Sequence, residues 1–93
     1  MDLLDKNYKP KAKTDIIVKN VDEEKVLFNP ANSFIHVLNK TAYPVWKLAD
    51  GTNTIETIIQ KLSEMYKNSK ENFNIEEDVL RVLTEFNNQD LLE

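Results

Sequence analysis

His36 is the sole histidine of the chain, and cysteine is absent. A histidine acting as a base or metal ligand needs a second histidine, a thiolate or carboxylates at ligand spacing. The acidic residues here are scattered instead, so His36 reads as a strand histidine that is exposed or hydrogen-bonded at a sheet. The run Glu76-Glu77-Asp78 could dock a basic partner, but carboxylates at a helix N-terminus also favour the helix dipole. Trp46 could stack on a ligand, yet it shares an apolar stripe with Ala42, Val45 and Ala49 and reads as core. No glycine-rich phosphate loop, nucleophile elbow or H-E-x-x-H motif occurs. Paired acid–base groups in a shaped pocket are what catalysis requires. Their absence from the sequence makes the expectation a non-enzyme without metal or cofactor.

The bulk properties narrow the class further. A chain of 93 residues, 41% apolar and 30% charged, is one globular domain with a thin core. Without cysteine there is no disulfide framework. Its first residues carry charges throughout, unlike a secretory signal, and no run approaches the ~20 apolar residues of a membrane span. The expectation is therefore a cytoplasmic protein with no membrane partner. A net charge of -4 weighs against nucleic acid, whose binding is driven by clustered Lys and Arg.

Two periodicities divide the chain. Residues 1–14 are polar and aperiodic, with Pro10 and the lysines Lys6, Lys9, Lys11 and Lys13, and are expected as a flexible arm. The folded domain is expected over 15–93. The β-branched group Ile16-Ile17-Val18 marks a strand over 15–21, broken by Asp22-Glu23-Glu24. A second strand covers 25–29, and Pro30-Ala31-Asn32 supplies turn chemistry before a third over 33–38. Short polar turns predict an antiparallel meander. From Thr41 the period becomes helical. Pro44 is tolerated in a first turn capped by Asn39 or Thr41. Gly51, the one glycine of the chain, sits in an Asp-Gly joint and predicts a positive φ at the end of this helix. A second helix opens at Asn53, with Glu56 completing a capping box, or at Thr54. Its stripe is Ile55, Ile58, Ile59, Leu62, Met65 and Tyr66. After a polar loop at 67–73, Asn74 and Glu77 cap a third helix carrying Ile75, Val79, Val82, Leu83 and Phe86, with Leu80 on its flank. Leu91-Leu92 should fold back onto the core. Strands first and helices after predict an α+β, winged helix-turn-helix-like domain: a three-stranded antiparallel sheet followed by three helices.

The strands hold more apolar residues than a one-sided sheet needs. Phe34, Ile35, Val37 and Leu38 occupy both alternations of the third strand, so some apolar surface should stay exposed and mark an interaction site, or support self-association as a weak dimer.

The segments Val26-Leu27-Phe28-Asn29-Pro30, Leu38-Asn39-x-Thr41-Ala42, Val45-Trp46-x-Leu48, Asp50-Gly51 and Thr54-Ile55-x-x-Ile58 together resemble the PqqD-like family. A third helix with Val79, Leu80 and Leu83 and a Leu-Leu terminus extends the resemblance over about residues 15 to 92; Asp90 stands where the family's terminal motif usually has glycine. The resemblance implies a recognition element for ribosomally made, post-translationally modified peptides. Such a domain binds the leader segment of a precursor peptide and presents it to a separate maturation enzyme, often a radical SAM enzyme. The leader would add as a strand beside the third strand, along Ser33, Phe34, Ile35, His36 and Val37, in a groove against the third helix. Ile35, Val37, Val82 and Phe86 are candidate walls, Val79 lies on the same helix, and Arg81 is available for a peptide carboxylate; Phe34, Leu80 and Leu83 could exchange roles with the walls. Two other classes compete. A subunit that only holds a larger enzyme together ranks second. A winged-helix DNA-binding protein ranks last, since the third helix offers only Arg81 against Glu76, Glu77, Asp78 and Glu85.

Overall fold

A computed structural model describes residues 5–39, 41–67 and 74–93. Three strands, β1 (Ile17–Val21), β2 (Glu24–Asn29) and β3 (Phe34–Leu38), precede three helices, α1 (Ala42–Leu48), α2 (Ile55–Tyr66) and α3 (Ile75–Asn88). The sheet runs β1-β2-β3, antiparallel throughout. This is the α+β arrangement expected from the order of periodicities. β1 starts two residues later than its apolar cluster suggests, because Thr14 and Asp15 form a turn before it. Val21 pairs with Glu24 across Asp22 and Glu23, whose φ angles of 50° and 70° define a two-residue hairpin of the primed type. The β2–β3 turn is held by side chains: the amide oxygen of Asn29 accepts from Ala31 N–H at 3.0 Å, and that of Asn32 from Phe34 N–H at 3.0 Å.

Strand register determines which residues meet the helices. Leu27 pairs with Val18 on one side and His36 on the other, and Leu27 is fully buried. Side chains alternate along each strand, so Val18, Leu27, His36 and Leu38 share the helix-facing side. Ile17, Val26, Phe28, Ile35 and Val37 face away, and Ile35 and Val37 are 64% and 61% exposed. The surplus of apolar residues in the strands is thus real exposed surface on the outer face.

The corner from β3 into α1 explains the Leu-Asn-x-Thr-Ala motif. The Asn39 amide oxygen accepts from Thr41 N–H (3.1 Å), Thr41 Oγ1 (2.9 Å) and Ala42 N–H (2.8 Å). Asn39 therefore does the capping, and Thr41, at the N-cap position, makes no side-chain cap bond. At α2 the outcome is the other alternative: Thr54 accepts from Thr57 N–H, while the Asn53 amide donates to Leu48 C=O at 3.0 Å and ties the α1–α2 joint. The Asn53–Glu56 box does not form. Asn74 caps α3 through Glu77 N–H at 3.1 Å, and its amide donates to the Glu77 carboxylate at 3.2 Å. The polar loop expected at 67–73 lies, beyond Lys67, outside the described residues.

The core unites one sheet face with all three helices: Leu27, Leu38, Val45, Ile55, Ile58, Leu62, Val79, Val82 and Leu83, closed by Leu91 and Leu92. Trp46 is 8% exposed and meets Phe86 edge-to-face, ring centroids 5.4 Å apart. Three stripe residues of α2 differ from expectation. Ile59 and Tyr66 are only partly buried, and Met65 is 60% exposed, because the α2 stripe outruns the surface that α1 and α3 offer it.

Residues 5–14, expected as a loose arm, pack along the α1–α2 joint and the C-terminus. Backbone bonds join Ala12 N–H to Ala49 C=O, Gly51 N–H to Pro10 C=O, Ile55 N–H to Tyr8 C=O and Glu93 N–H to Lys11 C=O. Pro10 is fully buried, and Lys6 forms an ion pair with Glu76. A composition without periodicity does not reveal this binding, since backbone groups make it.

Gly51 has φ +85°, and a Cβ placed there would lie 3.1 Å from Lys11 Cδ. Gly51→Val should lower stability more than Gly51→Asn, because asparagine tolerates the left-handed region and a β-branched side chain does not; equal losses in chemical denaturation would contradict this. The end of α3 offers the converse case. Leu91 N–H bonds Phe86 C=O at 2.9 Å and Asp90 N–H bonds Asn87 C=O at 3.1 Å, a Schellman motif with Asp90 at φ 61°. Asp90→Gly should raise stability by about 0.5–1 kcal/mol, since glycine takes this conformation without the Cβ cost. The exposed Lys13–Asp90 ion pair (2.8 Å) that it removes is a smaller loss. A lowered denaturation midpoint would show that the ion pair outweighs the strain.

Candidate functional site

Among the described residues β3 is an edge strand with no neighbour on its far side, and α3 lies across the cleft from it. Between them runs a cleft of ≈ 320 Å³, lined from the strand side by Ile35, His36, Val37, Leu38 and Asn39 and from the helix side by Val82, Glu85, Phe86 and Gln89; Ala42 and Leu91 complete it. Each wall is positioned by local rules already described. The register to β2 sets β3, the Asn39 cap sets the corner at one end, and the Schellman turn delivers Leu91 to the floor.

The strand side presents mostly main chain. Ile35 and Val37 border the cleft, but their side chains share the outer face with Val26 and Phe28. His36 and Leu38 are the side chains on the inner face. His36 Nε2 is buried and, among the described residues, has no hydrogen-bond partner, a condition rare for a buried polar atom. Val82 and Phe86 give the helix side its apolar character, and Glu85 and Gln89 its polar rim.

Of the nine residues predicted for binding, Ile35, His36, Val37, Val82 and Phe86 line this cleft. Ser33 belongs to the turn, with φ 61°. Phe34 opens β3, is 57% exposed, and lies beside His36 with centroids 6.1 Å apart. Val79 is buried between α3 and α2 in the core. Arg81 does not line the cleft and stands 3.5 Å from Asp78 and 3.6 Å from Glu85 on its own helix, so its charge is already answered there. Leu38, Asn39, Ala42, Glu85, Gln89 and Leu91 also line the cleft and are not among those nine. Glu85 and Gln89 follow Val82 at i+3 and i+7, a spacing that identifies the cleft-facing flank of α3 once one wall is known.

Among the described residues, no group of three or more His, Asp or Glu side chains could hold a metal ion, and no helix is long and apolar enough to cross a membrane.

Sheet order, helix order and cleft define a winged-helix-like α+β domain with one open sheet edge walled by a helix. Residues 24–92 match the model of the coenzyme PQQ synthesis protein D (PqqD) family, and the chain belongs to that family. Two solved structures are similar. One is the solution NMR structure of the PqqD truncation of Methylobacterium extorquens PqqCD, described as a functional and stand-alone recognition element for ribosomally synthesised and post-translationally modified peptides. It is 28% identical with a TM-score of 0.69, covering 90% of this chain and 87% of that one. The other is TbiB1 in complex with the TbiA(beta) leader peptide, 23% identical with a TM-score of 0.72, covering 89% of this chain and 94% of that one; at this identity the likeness concerns the fold. No curated protein sequence matches the chain.

Proposed function

We propose that this domain binds the leader segment of a precursor peptide by strand addition to β3 and presents it to a separate maturation enzyme. The observation that carries the reading is the cleft between the β3 edge and α3, whose strand wall is the outer edge of the sheet and whose helix wall sets the apolar Val82 and Phe86 beside the polar Glu85 and Gln89. An extended peptide gains affinity from main-chain bonds to such an edge and specificity from the side chains it sends inward. Val82 and Phe86 would receive apolar peptide side chains, and an incoming polar group would satisfy His36 Nε2. Family membership supports the reading, as does the description of the Methylobacterium extorquens relative as a recognition element. The complex of TbiB1 with a leader peptide is a precedent within the fold.

The partner enzyme in this reading is a radical SAM protein, the domain is non-catalytic, and the encounter takes place in the cytoplasm with the domain as a monomer or weak dimer. The groove residues are Ile35, His36, Val37, Val82 and Phe86, with Glu85 and Gln89 added at the rim; Ser33 and Phe34 would extend the strand contact toward the turn. DNA binding has no comparable support, since the exposed face of α3 carries Glu76, Glu77, Asp78 and Glu85.

A leader peptide from the precursor gene nearest to this one, titrated into isotope-labelled protein, tests the proposal. Amide shifts should concentrate on residues 35–38 and on Val82, Glu85 and Phe86. Saturable shifts that avoid β3 would place the peptide elsewhere, and no shifts at all would remove the function.

A further inference from the structure

Between α1 and α2 lies another open cleft of ≈ 600 Å³ whose surface is almost wholly apolar. Tyr43, Pro44 and Leu48 form one bank, Met65 the other, with Lys47 and Lys61 at the rim. It shares no residue with the β3–α3 cleft. Met65 is 60% exposed here, which is why the α2 stripe fails to bury it.

Lys6, Lys11, Lys13 and Lys67 are each paired with a carboxylate. Of the described lysines, Lys9, Lys19, Lys25, Lys47 and Lys61 have none within 4.0 Å, and three of these five, Lys25, Lys47 and Lys61, stand at or beside this cleft. The Lys25 and Lys47 ammoniums both lie against the Tyr43 ring, 4.9 and 5.7 Å from its centroid, and Lys61 donates to the neutral Asn53 amide at 3.0 Å. Glu64, the one acidic residue lining the cleft, is engaged by Lys67 at 2.6 Å. A chain of net charge -4 thus gathers unneutralised cations about its apolar cleft. Two ammoniums sharing one ring repel each other, and a carboxylate between them relieves that repulsion.

We propose that the α1–α2 cleft docks an acidic segment of a partner protein bearing aliphatic or aromatic anchors. The anchors fill the space between Leu48 and Met65, and flanking carboxylates meet Lys25, Lys47 and Lys61. An apolar centre with a charged rim is the usual anatomy of a transient interface. Because the cleft shares no residue with the β3–α3 cleft, docking there does not fill the groove between β3 and α3.

Three fluorescently labelled synthetic peptides of equal length test this by anisotropy: one of Glu with Leu and Phe, one with Lys in place of Glu, and one of Glu with Gly and Ser. Only the first should bind, with affinity falling as salt rises. The double substitution Lys47→Glu and Lys61→Glu should weaken it about tenfold, as loss of two exposed ion pairs would. Met65→Asp, at an exposed position that folding tolerates, should abolish it, and Lys19→Glu, an exposed lysine on β1 that does not line this cleft, should leave it unchanged. Failure of the first peptide to bind overturns the proposal. So does equal binding of the Lys peptide, or full affinity in the Lys47/Lys61 and Met65 variants.

Discussion

Ile35→Pro and His36→Pro should part company: one abolishes leader-peptide binding in a folded domain, and the other unfolds the sheet. Successive N–H groups along a strand point to opposite edges. One of these two therefore faces the open edge of β3 and the other bonds to β2. Proline removes the N–H at either position. At the open-edge position the β2 ladder survives, circular dichroism stays that of the parent, and a peptide carbonyl loses the N–H that would donate to it and meets the ring. At the other position the cost falls on the three-stranded sheet, and the melting temperature drops. Side-chain substitutions at the same places, such as Ile35→Ser, should weaken binding only modestly because that side chain lies on the outer face. Parent-like affinity in both proline variants, each shown to be folded, would remove β3 as the peptide site.

Trp46→Ala should destabilise the domain by about 3–5 kcal/mol, the usual cost of deleting a large aromatic from a packed core. The ring is 8% exposed and packs edge-to-face on Phe86, so its removal also strips support from a wall of the β3–α3 cleft. A small domain has only about 5–15 kcal/mol in total, and the variant should be largely unfolded at moderate temperature. Trp46→Phe, which keeps an apolar ring, should recover much of the loss. A melting curve for Trp46→Ala that matched the parent's would show that the α1–α3 contact does not hold the fold together. The same contact explains why Phe86→Ala is a poor test of peptide binding alone: it alters core and cleft together.

Much of the fold was legible because local chemistry decides it. β-branched clusters, Asn-Pro turn residues and three helical stripes each specify their element within a few residues. Gly51 announced its positive φ, and Asn74 with Glu77 announced the start of α3. Where two local solutions were nearly equal, the sequence left both open. Asn53 and Thr54 could each cap α2, and the choice went to Thr54 because the Asn53 amide donates to the Leu48 carbonyl across the joint and its oxygen accepts from Lys61.

What the sequence alone determined is the element order, the α+β class, the core stripes and the family resemblance, all set by short-range periodicity and capping. The face that each strand residue takes was decided only in three dimensions. Ile35 and Val37 border the cleft, but the β2–β3 register puts their side chains on the outer face and those of His36 and Leu38 on the inner one. Arg81 looks free for a ligand until the helix places Asp78 and Glu85 at its sides. The packing of residues 5–14 and the α1–α2 cleft likewise arise from contacts between segments far apart in the chain. Such contacts depend on how elements are stacked, and no local pattern encodes the stacking. A shift of one residue in strand register would exchange every inward and outward side chain, so the geometry of the site had to await the tertiary structure.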